Sequence, residues 1–413
     1  MTFCISAISS NQGKTIITTA LLYHFKKKVR PYKIGPDFID PQFHKKVCGE
    51  WSVNLDRFML DDEQLKWMFK TYQKEVSILE GVMGYYDGMD RGASAYDVTK
   101  LLKVPTILVL DGSGSYITIS AVLKGLKEYK KDSTIRAVIL NKLSSKNHYK
   151  LIKKQIEKDF SDIVVLGWVK KDLKSLKDTH LGLDLEDISK IEDISKDVLE
   201  HIELEKFSSL VQGEIEVKEY PFEKVKKTDK TLAMVYDKNF SFLYYDNLQF
   251  LKEVFKSVHL IDSTKDESIP DADALFIPGG YVESDEAYSR IKTSKAFKES
   301  LKSFKGRVYA ECAGLLYLGD RVDEKKMSGV LPLEFSLQKR FVRLGYYENE
   351  DGVKGHCFHY TKPDSLDGWF DRLTKNGKGE YGSFQKGKVF GTYLHTLFRP
   401  NADLVRKRLL DAL

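Results

Sequence analysis

Cysteine is scarce in this 413-residue chain: Cys4, Cys48, Cys312 and Cys357 are the four, and no two stand in C-x-x-C spacing. A disulfide framework or a structural zinc site needs more thiols, or closer ones. Long apolar runs are missing as well. No stretch approaches the roughly 18 apolar residues that a membrane helix requires. The opening Met-Thr-Phe-Cys-Ile-Ser has no charged leader segment. The expectation is a cytoplasmic protein with reduced thiols and no membrane contact. A dense basic stripe is absent too. The 66 Lys and Arg residues exceed the 60 Asp and Glu residues by +6, and the clusters Lys26-Lys27-Lys28 and Lys224-Val225-Lys226-Lys227 read as solvated faces. This mild excess suits a pocket for acidic ligands and argues against nucleic acid. Internal repeats and low-complexity tracts are also lacking, which excludes a solenoid.

What the chain does have is alternation. Hydrophobic residues make up 42% and charged residues 31%, a globular balance with material for two domains. Short aliphatic runs lie at residues 3–7, 77–80, 106–110, 137–140 and 164–166. Helical patterns such as residues 15–27 separate them. Strands alternating with helices predict an α/β unit around a parallel sheet, with ligands beyond the carboxyl ends of the strands. Residues from about 170 to 230 are rich in Lys, Glu and Asp and read as a helical tail plus a linker. A second alternation then predicts strands at 231–236, 274–277 and 307–310, and helices at 245–256 and 403–413. The expected division is a domain over 1–205, a linker over 206–230 and a domain over 231–413.

Ser9-Ser10-Asn11-Gln12-Gly13-Lys14-Thr15 lies between the first strand and the first helix. Its Gly-Lys-Thr ending has the chemistry of a phosphate loop: backbone amides cradle phosphates, Lys14 reaches the β/γ oxygens, and Thr15 can ligate magnesium. Strict Walker A spacing asks for glycine at position 8, where this chain has Ile8. Glu80 ends an apolar strand and faces the ligand crevice expected there. Lys33-Ile34-Gly35-Pro36-Asp37-Phe38-Ile39-Asp40-Pro41 presents a lysine and two aspartates on a tight turn. Asp87-Gly88 follows Glu80. Asn141 ends a strand and can either cap it or read an adenine edge.

Cys312 sits in Ala310-Glu311-Cys312-Ala313-Gly314, after a short strand and before an apolar helix. That is the context of a nucleophile elbow, in which the helix N-terminus is expected to lower the thiol pKa. A cysteine nucleophile needs a base, which can be distant in sequence. His395, after Gly391-Thr392-Tyr393-Leu394, is the candidate.

Taken together, these motifs resemble those of the cobyrinate a,c-diamide synthase family. The match runs through Lys33 to Pro41, Asn54-Leu55-Asp56, Leu79 to Gly88 and His180-Leu181-Gly182-Leu183. It continues through Tyr244 to Leu248, Pro278-Gly279-Gly280-Tyr281, Glu311-Cys312, Gly345-Tyr346, Gly355-His356, Phe358-His359-Tyr360 and Gly391 to His395. The resemblance implies an N-terminal P-loop domain similar to dethiobiotin synthetase and a C-terminal class I glutamine amidotransferase-like α/β domain. It implies ATP, L-glutamine and a corrinoid tetrapyrrole as ligands, with Mg2+ as cofactor, and it leaves open a homodimer. The implied nucleotide residues are Ser10, Gly13, Lys14, Thr15 and Asn141. Thr15, Asp40 and Glu80 are implied at the metal, and Lys33, Asp37, Ile39 and Asp87 at substrate or its activation. Cys312 and His395 are the implied catalytic pair, and Gly279 and Gly280 the oxyanion amides.

Two positions depart from these patterns. The common class I triad has a glutamate two residues after the histidine, where this chain has Leu397. His395 is thereby left without an orienting partner that the sequence identifies. Cys357 stands where the family usually has glutamate, and reads as a packed thiol. The same motifs also admit double amidation of a nickel sirohydrochlorin. A nucleotide-switch ATPase with an inert C-terminal domain is disfavoured by the presence of both Cys312 and His395.

Overall fold

The computed structural model describes residues 1–173 and 188–410, so the His180–Leu183 motif lies outside the described residues. The chain forms two compact units, Met1–Pro221 and Phe222–Leu413.

The first unit runs β1 (Thr2–Ala7), α1 (Lys14–His24), β2 (Val29–Ile34), α2 (Ile39–Cys48), β3 (Val53–Leu55), α3 (Asp62–Tyr72) and β4 (Val76–Gly81). It continues with α4 (Ala95–Leu101), β5 (Thr106–Asp111), α5 (Ile117–Glu128), β6 (Ile135–Leu143), α6 (Lys146–Asp159), β7 (Val164–Lys170) and α7 (Ile188–Leu199). The strands form one parallel sheet in the order β3-β2-β4-β1-β5-β6-β7. All six residues of β1 are buried, as expected of a central strand covered by helices on both faces. Its neighbours on either side are β4 and β5. The chain leaves β1 for β2 on one side and leaves the adjacent β4 for β5 on the other, and these opposed crossovers open a crevice at the carboxyl ends of β1 and β4. Past α7, Phe207 and Leu210 are buried in this unit's core, and Trp67 Nε1 donates to the Glu219 carbonyl at 2.9 Å. Residues 206–219 therefore pack on the first unit.

The second unit runs β8 (Thr231–Val235), α8 (Tyr245–Val254), β9 (Ser257–Ile261), β10 (Ala274–Ile277), α9 (Asp285–Ile291), α10 (Lys295–Ser303), β11 (Arg307–Glu311) and α11 (Ala313–Leu318). Then come β12 (Arg321–Val322), β13 (Lys325–Lys326), β14 (Glu334–Leu337), β15 (Arg343–Glu348), β16 (Lys354–His359), β17 (Thr361–Pro363), β18 (Trp369–Lys375), β19 (Lys378–Lys386), β20 (Val389–Thr392) and α12 (Ala402–Val405). A nine-stranded sheet has the order β16-β15-β18-β19-β20-β11-β10-β8-β9. Its β20-β11-β10-β8-β9 half is parallel, and its β16-to-β20 half is antiparallel. Four short strands, β13-β12-β14-β17, form a separate sheet. Of the helix expected over 403–413, the described part is an α-helix over Ala402–Val405 that widens to a π-helix over Arg406–Leu410, and residues 411–413 lie outside the described residues. Among the described residues, no helix is long and apolar enough to cross a membrane.

Candidate active sites

In the first unit, the loop from Ile8 to Gly13 links β1 to α1. It takes its left-handed residues at Asn11 (φ 62°) and Gly13 (φ 94°). Ile8 needs no such backbone, which is the physical reason the position tolerates a side chain. A Cβ on Gly13 would lie 2.1 Å from Asn141 Nδ2. That amide donates to the Gln12 carbonyl at 2.8 Å, and its Oδ1 accepts from Lys142 N at 2.8 Å. Asn141 thus holds the loop through Nδ2, while Lys142 N on its own strand fixes Oδ1. Lys14 Nζ folds back onto the Ser9 carbonyl at 2.9 Å. Burial and the neighbouring Lys33 charge hold the Lys14 ammonium below its usual range, against the pull of Glu80.

Lys33 on β2 and Glu80 on β4 are register partners, so their side chains share one face of the sheet. Asp40 and His44 lie four residues apart on α2 and so share a helix face. Asp40 pairs closely with Lys33 Nζ, which also lies 3.5 Å from Asp37 Oδ2 and 3.6 Å from Glu80 Oε1. Glu80 is fully buried. Its Oε1 accepts from Thr15 Oγ1 at 3.0 Å, and its Oε2 meets His44 Nε2 at 2.8 Å. The other nitrogen of His44 meets Ser52 Oγ at 3.2 Å. Burial opposes ionisation of Glu80, but Lys33, His44 and Thr15 outweigh it and hold the carboxyl down at about 2. Burial and the Glu80 charge push Asp40 up to about 6.

Asp37 Oδ1 accepts from Ile39 N at 2.8 Å and Asp40 N at 3.2 Å, and Asn54 Nδ2 clamps the Gly35 and Asp37 carbonyls at 2.9 and 2.8 Å. A cavity of about 630 Å³ is lined by Ser10, Gly13, Lys14, Thr15, Lys33, Asp37, Asp40, Glu80 and Asn141, with Lys142, Lys170 and Lys171 also in its wall; Lys142 pairs with Asp111 and Lys170 with Glu200, each at 2.6 Å. Those three lysines have no local sequence signature, because nothing in their surroundings along the chain ties them to the loop. Ile39 and Asp87 are not part of this lining. Ile39 is 57% exposed. Asp87 is also exposed and accepts from Gly84 N at 2.7 Å, although its charge reaches Lys14. His44 is a residue that sequence reading missed. Its signal is the i, i+4 spacing from Asp40.

Among the described residues, no group of three or more His, Cys, Asp and Glu is set up as a metal cage. The donors beside the loop are the Thr15 hydroxyl and the Glu80 and Asp40 carboxylates. These hard oxygen donors fit magnesium, which binds through one or two protein oxygens and fills its shell from phosphates and water.

In the second unit, β10, β11 and β20 end side by side. Cys312 follows β11 in a left-handed conformation (φ 43°, ψ −103°) and starts α11. For a non-glycine residue this is a strained turn of the kind concentrated at functional sites. Its N–H donates to the Thr392 carbonyl at the end of β20, at 2.8 Å. His395 comes three residues later and is 1% exposed. Gly279 packs against it, since a Cβ there would lie 2.1 Å from the imidazole Cε1. This close approach requires glycine. Gly280 N–H and Gly279 N–H lie on the same turn after β10. The Gly279 carbonyl accepts from Phe242 N at 2.9 Å.

The thiol departs from expectation. Burial, reinforced by Glu283 and Cys357, pushes the Cys312 pKa well up. A helix start favours a lower value, but α11 has only six residues and its dipole does not offset full desolvation. Cys357 is fully buried, and burial pushes its thiol up to about 12, as fits a packed residue. The residue that sequence reading left without a role is Glu311. Its Oε2 lies 3.1 Å from His395 Nδ1, and its Oε1 accepts from Tyr309 OH at 3.1 Å. Its signal is an acid at the carboxyl end of a parallel strand, as at Glu80.

Comparison with known proteins identifies both units. Residues 3–185 match the model of a CobQ/CobB/MinD/ParA nucleotide binding domain, and residues 231–403 match a CobB/CobQ-like glutamine amidotransferase domain. The chain is 31% identical over 442 residues to the cobyrinate a,c-diamide synthase of Listeria monocytogenes serovar 1/2a, covering 97% of each chain. It is 35% identical to that of Saccharolobus solfataricus, covering 88% of each. It is 36% identical to that of Caldanaerobacter subterraneus, covering 87% of this chain and 86% of that one.

Proposed function

We propose, since this chain belongs to the cobyrinate a,c-diamide synthase family and is an ATP-dependent, glutamine-hydrolysing amidating ligase, that it amidates the a- and c-acetate carboxylates of cobyrinate in cobalamin biosynthesis. One observation carries the reading: a single chain holds a lysine-lined cavity on a phosphate loop and, in its other unit, a strained cysteine whose preceding residue, Glu311, meets a buried histidine at 3.1 Å.

A carboxylate is a poor electrophile until one oxygen becomes a leaving group. A substrate carboxylate oxygen attacks the γ-phosphorus of ATP, the bond to the ADP oxygen breaks, and an acyl phosphate forms. Ammonia then adds to the acyl carbon, phosphate leaves with the C–O bonding electrons, and the nitrogen loses a proton. Phosphoryl transfer depends on positioning and on charge neutralisation. Lys14 supplies positive charge at the phosphates, and Lys171 adds to the field of the cavity. Thr15, Glu80 and Asp40 would hold Mg2+, which supplies charge neutralisation between phosphate oxygens when bound. Lys33 holds Asp37, Asp40 and Glu80 together. Ile39, exposed at the end of the Asp37 turn, offers an apolar contact for the tetrapyrrole.

Cys312 Sγ attacks the side-chain amide carbon of glutamine, with its proton passing to His395. Gly279 and Gly280 amides stabilise the oxyanion. The His395 proton goes to the departing ammonia, and water then hydrolyses the thioester to glutamate.

The test is product mass after incubation with ATP, glutamine and either cobyrinate or nickel sirohydrochlorin. Two amidations of cobyrinate support the reading. Amidation of the nickel tetrapyrrole alone reassigns the substrate. ATP hydrolysis with neither product rejects the ligase.

A further inference from the structure

Glutamine hydrolysis asks one imidazole to take a proton from a thiol and then release it. That requires a fixed ring and a known tautomer. This chain has Leu397 where a triad acid would follow His395, so the acid must come from elsewhere in the fold. We propose that Glu311 is the positioning residue of this centre, fixing His395 through Nδ1 so that the opposite ring nitrogen serves as base toward Cys312. This deepens the glutamine-hydrolysis reading above and rests on it.

The geometry follows from sheet register. Glu311 pairs with Thr392 across β11 and β20, and His395 is three residues beyond that pairing. Glu311 and His395 side chains are 3% and 1% exposed, so little water competes for their 3.1 Å contact. Tyr309 OH holds the second carboxylate oxygen at 3.1 Å, and the Thr396 backbone contributes a further hydrogen bond. The carboxylate is therefore anchored on more than one side. An ionised carboxylate can only accept. Nδ1 must then carry the ring proton, and Nε2 is the nitrogen left to act as base.

The same contact addresses the thiol. A buried Cys312 with a raised pKa gains little from α11 alone. A carboxylate next to His395 stabilises the imidazolium that forms as sulfur loses its proton. Adjacent residues thus take complementary parts: Cys312 attacks, and Glu311 before it in the chain steadies the base. Other ionisable groups face the pair. Glu283 and Cys357 act on the thiol, and Tyr309 acts on Glu311. Arg408 and Asp371 act on Tyr309. His359 also faces His395, and Glu311 itself acts on the thiol, so a pH profile of E311Q must be read against these groups and against the altered Tyr309 contact.

The experiment uses the full chain and two nitrogen sources. In E311Q, glutamine-driven kcat should fall by about 10²- to 10⁴-fold, with KM for glutamine and ammonia-driven turnover both within about twofold of wild type. The pH midpoint for alkylation of Cys312 by iodoacetamide, followed on the Cys312 peptide by mass spectrometry, should move up by about one unit or more. Added to His395→Asn, E311Q should cost little more, because the two residues act along one path. Unchanged kcat and alkylation midpoint overturn the proposal, and so do additive losses in the double variant. Should E311Q fold poorly, E311D carries the test: loss confined to glutamine supports the proposal, and no loss or equal loss with both nitrogen sources overturns it. Retained glutamine use in Cys312→Ala would instead defeat the underlying reading.

Discussion

Each unit of this protein buries a glutamate at the carboxyl end of a parallel strand, next to a histidine. Glu80 ends its strand beside His44, and Glu311 ends its strand beside His395. Their environments push them apart. Glu80 has Lys33 at 3.6 Å and is held down at about 2. Glu311 has a tyrosine hydroxyl and an imidazole in place of an ammonium, and burial pushes its pKa up. A permanently ionised carboxylate suits a site that handles cations and phosphates. One held against an imidazole suits a site where the neighbouring histidine passes protons. The same residue, at the same place in the same kind of sheet, takes two roles according to what faces it.

Substitution at the two glutamates should therefore give different signatures. The largest effect is expected for Glu80→Gln. Amidation should fall by about 10³-fold with glutamine and with ammonia alike, because phosphoryl transfer precedes both routes. Initial rates with each nitrogen source check this, and loss with glutamine alone would erase the distinction from Glu311. Next is Lys33→Met, which leaves Asp37, Asp40 and Glu80 without their shared cation. Breaking a buried pair from one side should cost about 3 kcal/mol by denaturant unfolding of the full chain. The sign with pH follows from the depressed Glu80 pKa. Its contribution is complete above about 4.5 and is lost as pH falls through about 2. Lys33→Met should flatten stability over that window.

The smallest effect belongs to His359 in the second unit. It stacks on Tyr393 with ring centroids 3.8 Å apart, and burial lowers its pKa to about 3. The unfolded chain binds that proton first. Its contribution is therefore present above about 6.5 and is lost as pH falls toward 3. His359→Gln should remove an acid-dependent loss on the order of 1 kcal/mol at pH 5.5. Unfolding curves at pH 7 and 5.5 would show it, and an unchanged slope would assign the acid lability elsewhere.

Much of this is legible in the sequence. The core strands read directly because β1, β5 and β10 are short, mostly apolar runs buried on both faces. The antiparallel half of the second sheet does not read. Its β19, Lys378–Lys386, carries lysines, a glutamate and glycines and is mostly exposed, so it lacks a clear period. Residues 206–219 read as linker because charge dominates them, yet Phe207 is enough to anchor them in the first core. At the sites, residues in tight loops such as Lys14, Asp37 and Cys312 stand out locally. Glu311, His44 and Lys142 do not, because their roles come from register, helix phase and distant side chains. The Cys312 pKa eludes the sequence for a related reason: a helix start is visible there, but burial is not.

The most direct test of the division between the two units is isotopic. Wild-type and Cys312→Ala chains are incubated with ATP, cobyrinate and glutamine labelled with ¹⁵N at the amide, with and without unlabelled ammonia, and the product is read by mass. Wild type should place two labelled nitrogens on the substrate. Cys312→Ala should place none from glutamine but two unlabelled nitrogens from ammonia at near wild-type rate. Label transfer by Cys312→Ala, or its failure with ammonia despite a folded chain, would contradict this division of labour.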